Sequence, residues 1–182
     1  MKKYKVVVKF ITDYLQAKHS EDAKKHLEKL ISEGIAKLED DSWMVLIYRD
    51  DKGCYIPAVQ FRQALVVGGK ELKRKKQRSS MMKWVQSCLQ VTPQKIYINN
   101  KQEPDNTLVS YPRRKDGSKV KIIHPVFNAG TQVEFEILNI DDAMEDESIE
   151  KLVVKAGKMA GVGARRSDMF GRFELVEFKK IT

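Results

Sequence analysis

The stretch Gly157-Lys158-Met159-Ala160-Gly161-Val162-Gly163-Ala164-Arg165-Arg166-Ser167-Asp168-Met169-Phe170-Gly171-Arg172-Phe173 constrains the fold more than any other. Before it, Ile149, Leu152, Val153 and Ala156 recur at helical spacing; after it, Arg172 to Phe178 alternates like a strand. A glycine-rich connection from a helix to a strand follows. Glycine takes positive φ without a Cβ clash and lets a ligand come close to the main chain. Arg165, Arg166 and Arg172 set guanidinium groups beside Gly161, Gly163 and Gly171. Backbone N–H groups and arginines together seat phosphate oxygens. The same residues also suit a tight helix cap and turn, with the arginines solvated or paired with the acidic run at 141–150.

Charge bears on that choice. Lys and Arg number 34 against 25 Asp and Glu, a net charge of +9 in 182 residues. The excess suggests an anionic partner, most simply nucleic acid. The length fits a single domain over 1–182, with an insertion at about 100–118. Cys54 and Cys88 stand far apart with no CxxC, so neither a disulfide framework nor a zinc site is signalled. No cofactor and no metal are expected. Lys5 and Lys9 interrupt any signal-peptide core. No apolar run reaches the ~18 residues of a membrane span, so the expected setting is the cytoplasm, away from membranes.

Taken in order, Tyr4, Val6, Val8 and Phe10 alternate with Lys3, Lys5, Val7 and Lys9, predicting a strand with one apolar and one basic face. Lys5 and Lys9 are therefore candidates for tracking a nucleic-acid backbone, or are simply solvated. Ser20 starts a helix carrying Ala23, Leu27, Leu30 and Ile31 that ends at Gly34. His26 lies on its polar side without a partner at ligand spacing, a surface residue or a weak general base. Trp43 to Arg49 reads as a buried strand, turned at Asp50 to Gly53 into Cys54-Tyr55-Ile56. Pro57 opens a helix with Phe61, Ala64, Leu65 and Leu72 inward, and Gly68-Gly69 mark a kink or its end.

Lys70, Lys73, Arg74, Lys75, Lys76 and Arg78 face only Glu71, forming either a solvated helix end or a phosphate-binding patch. Residues 81–91 fit a helix or a strand. Lys95 to Asn99 is a short strand, and Val120 to Ile123 another. Between them, Tyr111, Arg113 and Arg114 precede an Asp116-Gly117 turn. This is a basic hairpin with an aromatic near its tip, suited to gripping a single strand by stacking and charge, or else a mobile loop. His124 before Pro125 reads as structural. Thr131 to Leu138 is a strand, and the acids at 141–150 favour a helix start.

The element order predicts an α+β fold, a ferredoxin-like or RRM-like antiparallel sheet with helices on one face and a basic hairpin insertion. YIPAVQFRQAL at 55–65 resembles the "isoleucine, proline, small residue, basic helix" segment of the RAMP superfamily, the RNA-binding proteins of CRISPR effector complexes. GVGARRSDMFGRFEL resembles that superfamily's glycine-rich loop and closing strand, and DDSWMVLIYRDDKGCYIP is similar to the hairpin leading into its helix. Ala58-Val59 stand where members usually have Gly-Ser. Short phage-encoded proteins ending in aromatic-Gly-Arg-Phe are also similar.

The resemblance implies single-stranded RNA bound along a sheet and a glycine-rich loop; the residues themselves suit single-stranded DNA equally. It implies self-association or contact with other complex subunits, in a prokaryotic cell or a phage's host. Some members cut target RNA with an aspartate near the place of Asp40 and Asp41. A binding module is favoured over an endoribonuclease using Asp40, Asp41 or His26, because no acid–base pair with mutual spacing is visible. A phage-encoded structural or inhibitor protein that meets an acidic partner is the third alternative.

Overall fold

A computed structural model describes residues 1–18, 21, 25, 28, 32, 40–73, 79–99, 101–113, 115–119 and 121–181. Tyr4, Val6, Val8 and Phe10 are fully buried along β1 (Lys2–Phe10), because a strand sends alternate side chains to one face. β1 pairs antiparallel with β9 (Gln132–Asn139) on one side and β10 (Phe173–Lys180) on the other. β5 (Leu89–Thr92) pairs antiparallel with the far edge of β9. The order is β10-β1-β9-β5.

Helices α1 (Ala58–Gly68) and α3 (Asp146–Met159) cover one face of this sheet. Phe61 of α1 joins the layers: its ring lies 4.5 Å from that of Phe135 on β9 and 5.6 Å from that of Phe173 on β10. In chain order the core elements are β1, α1, β5, β9, α3 and β10. That βαββαβ order with this strand arrangement is a ferredoxin-like α+β fold, as expected.

Two excursions interrupt it. Residues 11–57 carry β2 (Tyr14–Leu15), a 3-10 turn at Asp40–Val45, β3 (Arg49–Asp50) and β4 (Gly53–Pro57). Residues 93–131 carry β6 (Lys95–Tyr97), β7 (Asn106–Ser110) and β8 (Ile122–Phe127). β2-β8-β7 form one small sheet and β3-β4-β6 another.

Some local expectations are corrected, and two that were open are decided. Trp43 to Val45 belongs to a 3-10 turn, and only Arg49–Asp50 pairs as a strand. Leu46 and Ile47 are buried there without pairing into a sheet; burial of an apolar run does not by itself require a strand. Gly68 closes α1. Residues 81–91 divide: α2 (Met82–Cys88) buries Trp84 and Val85, then β5 buries Leu89 and Val91. The strand expected at Val120 to Ile123 lies over Ile122–Phe127, so it runs through His124 and Pro125. Glu21, Lys25, Glu28 and Ser32 are helical, but Ala23, His26, Leu27, Leu30, Ile31 and Gly34 lie outside the described residues.

Candidate nucleic-acid interface

The glycine-rich loop is laced to the link between β1 and β2. Ile11 N–H donates to the Arg172 carbonyl at 2.9 Å, Gly171 N–H to Asp13 at 2.8 Å, and Ala164 N–H to Leu15 at 2.8 Å. The Thr12 hydroxyl donates to the Met169 carbonyl at 2.8 Å and accepts from Arg172 N–H at 2.9 Å. Gly163 has φ +86°, and a Cβ there would lie 2.3 Å from the Leu15 carbonyl oxygen. At Gly171, φ +70°, it would lie 1.8 Å from that of Val162. The close approach these two glycines permit is thus made by the chain's own backbone, in place of the ligand approach expected from sequence. Gly161 shares the left-handed conformation.

The crest of the loop is a 3-10 turn at Arg166–Asp168, flanked by Arg165 (φ 53°) and Met169 (φ 69°). Arg165 donates through Nε at 2.8 Å and pairs through Nη2 at 2.6 Å with the same Asp168 oxygen. Arg166 is exposed. Arg172 is buried beneath, its Nη2 donating to the Arg166 carbonyl at 3.1 Å.

A cleft of about 670 Å³ runs between this loop and the β7–β8 hairpin. Gly163, Arg165 and Arg166 form one wall; Tyr111, Pro112 and His124 form the other; Gln60 and Gln63 of α1 complete it. Tyr111, directly after the last residue of β7, is 51 % exposed. Beyond it Arg113 bridges to Lys119, both exposed.

His124 is buried in that wall. Its Nδ1 lies 3.1 Å from the Gln16 carbonyl, which only accepts, so Nδ1 carries the proton and donates. Nε2 then accepts from the Ser110 hydroxyl at 3.1 Å. Burial, with a smaller push from the Arg165 guanidinium, holds the ring's pKa below the ordinary histidine value, against the opposing pull of the Gln16 bond. The ring is neutral and structural, as its place before Pro125 suggests.

The other expected contacts fall elsewhere. Lys5 pairs with Glu134 at 3.0 Å and Glu177 at 3.7 Å, Lys9 with Glu174 at 2.7 Å, and Lys3 with Glu136 at 2.8 Å. Glu134 pulls the pKa of Lys5 upward. The expected basic face of β1 is therefore charge-alternating, because antiparallel register sets glutamates of β9 and β10 beside its lysines. Lys70 and Lys73 are exposed after α1 and line neither this cleft nor its neighbour beneath the loop crest. Arg74, Lys75, Arg78, Arg114 and His26 lie outside the described residues. Asp40 and Asp41 sit in the 3-10 turn, their side chains likewise undescribed.

Sequence reasoning missed Gln60, Gln63 and Asp168 as parts of the site. Asp168, three residues after Arg165, carried a readable signal for a local ion pair; the glutamines carried none. Among the described residues no His, Cys, Asp and Glu grouping suits a metal ion, and no helix is long and apolar enough to cross a membrane.

No protein-family model matches the sequence, and no curated protein does. Among solved structures, the chain is similar to a chain of the Type III-B Cmr-beta complex bound to cognate target RNA. The TM-score is 0.59 at 15 % identity, over 100 % of this chain and 61 % of that one. The present chain thus spans about three-fifths of that chain's length. It is also similar to a chain of a Type IV-B CRISPR complex, with a TM-score of 0.52 at 11 % identity, over 97 % of this chain and 90 % of that one. The likeness is one of fold, the ferredoxin-like arrangement described above.

Proposed function

We propose that this chain binds single-stranded nucleic acid, RNA in preference to DNA, as a subunit of a ribonucleoprotein assembly. The observation that carries this is the cleft that brings Arg165 and Arg166 opposite Tyr111, from segments far apart in sequence. Guanidinium groups take backbone phosphates, and the exposed tyrosine ring offers a stacking face for a base. The fold likeness to a chain of an RNA-bound CRISPR complex favours RNA and neighbouring subunits as partners. The hairpin's Arg113 and Arg114 and the basic run of Lys70, Lys73, Arg74, Lys75 and Arg78 would extend the backbone contacts.

Lys5 and Lys9 contribute least, because each already faces a glutamate. Gly161, Gly163 and Gly171 act by shaping the loop. Binding of a labelled strand of ~30 nucleotides, RNA and DNA in parallel across a salt series, tests this. Arg165→Ala with Arg166→Ala should weaken all sequences alike and flatten the slope of log K against log salt by about 1–2, the loss of two phosphate contacts on a single strand. No binding at low salt, or an unchanged double variant, overturns the assignment.

A further inference from the structure

Arg172 has two guanidinium nitrogens, Nε and Nη1, that are sealed from solvent and have no hydrogen-bond partner among the described residues. The residue is only 8 % exposed. Among the described residues no carboxylate pairs with it. Arginine cannot shed its charge to relieve burial, and buried polar groups in folded proteins are almost always satisfied. A buried guanidinium short of acceptors therefore calls for a ligand that supplies them.

The surroundings name the ligand's chemistry. Arg172 lines a cleft of about 540 Å³ with Arg165, Arg166, Ser167, Met159 and Val67. Three arginines and a serine line it, with no acidic residue in the wall among the described residues. Every polar side chain of the wall can donate, which matches a group rich in acceptor oxygens and negative charge. This cleft lies beneath the loop crest and shares Gly163, Arg165 and Arg166 with the cleft facing the hairpin.

The crest covers the seat. The Arg166 carbonyl accepts from Arg172 Nη2, and the Met169 sulfur lies 3.8 Å from the same nitrogen. The turn that places them begins and ends in left-handed residues that are not glycine, Arg165 and Met169, a conformation that side chains resist. It is pinned by the Asp168 carboxylate on Arg165. An external anion competes with that carboxylate for the same guanidinium.

We propose that Arg172 is the floor of a closed seat for one phosphate group, and that the Arg165–Asp168 pair is the latch over it. Phosphate takes Arg165 from Asp168, the crest residues 165–169 move aside, and the orphaned nitrogens of Arg172 gain phosphate oxygens. The seat deepens the function proposed above and rests on it only for the source of the phosphate, a nucleic-acid backbone rather than a free ion.

Thermal melting of the full chain in rising inorganic phosphate, with chloride at matched ionic strength, tests the seat. Wild type should show a saturable rise in Tm with phosphate. Asp168→Asn opens the latch and should lower the half-saturating concentration about two- to fivefold, the factor an exposed ion pair corresponds to. Arg172→Gln should remove the saturable response. Asp168→Asn alters an exposed residue, so it decides the matter even where the buried variant fails to fold. An unchanged phosphate response in Asp168→Asn, or a retained response in a folded Arg172→Gln, overturns the seat.

A 12-nucleotide oligouridylate forms the second arm. Tighter binding of this strand to Asp168→Asn supports the backbone as the source. A phosphate response without strand binding keeps the seat for free phosphate and overturns the nucleic-acid function. Strand binding of equal strength to wild type and Asp168→Asn, with no phosphate response, does the reverse.

Discussion

His124 shows how one residue ties the site to stability. Its ring is held neutral by burial between the Gln16 carbonyl and the Ser110 hydroxyl. In the unfolded chain the ring titrates near 6.5. Below that pH the unfolded chain takes up a proton that the fold resists, so the stability is fully present above the unfolded value and is lost as pH falls toward the lower folded value. Urea unfolding of wild type should therefore weaken on acidification through pH ~6. His124→Asn should show a shallower dependence there, and should cost about 1–3 kcal/mol at neutral pH by leaving a buried partner unsatisfied. An identical pH dependence in the variant would assign the slope to other groups.

Among elements, the loop between α3 and β10 depends most on neighbours remote in sequence. Gly163→Ala places a Cβ against the Leu15 carbonyl in a left-handed conformation. We expect a loss of about 2–4 kcal/mol in chemical denaturation, with weakened strand binding in the fraction that remains folded. Full stability in this variant would show that the loop does not dock on β2 as described. Much of this was legible beforehand. The alternation of Tyr4 to Phe10 and of Val133 to Ile137, and the helical spacing of Ile149 to Ala156, were set by local periodicity, and the structure keeps all three. The glycines and arginines of the loop announced a special turn.

Legibility failed where partners are distant. Trp43 to Ile47 is apolar in any conformation, so its sequence could not choose a 3-10 turn over a strand. The pairing of Lys5 and Lys9 with glutamates needs the register of β1 against β9 and β10. The burial of Arg172 depends on how the crest folds back, which no local pattern encodes. The cleft itself needed the chain's two excursions to bring Tyr111 opposite Arg166.

For the whole molecule, the distribution of charge matters more than its sum. Glutamates of β9 and β10 neutralise the lysines of β1 on the open face of the sheet. The excess of +9 must then act from other surfaces, the loop and hairpin among them. Lys5→Ala with Lys9→Ala should leave strand affinity within about twofold, since exposed paired charges add little. A loss equal to that of the Arg165, Arg166 double variant would make the sheet face part of the interface.

The lacing of the loop to residues 11–15 also sets a timetable. Asp13 and Leu15 leave the ribosome early, the hairpin wall next, and Arg165 to Arg172 much later; only then does β10 close against β1. Such non-local pairing is slow to form. A nascent chain therefore exposes its lysine-rich first strand before the glutamates of β9 and β10 exist, but has no assembled cleft. The cleft wall formed by Arg165 and Arg166 is therefore assembled only after those late residues have been made.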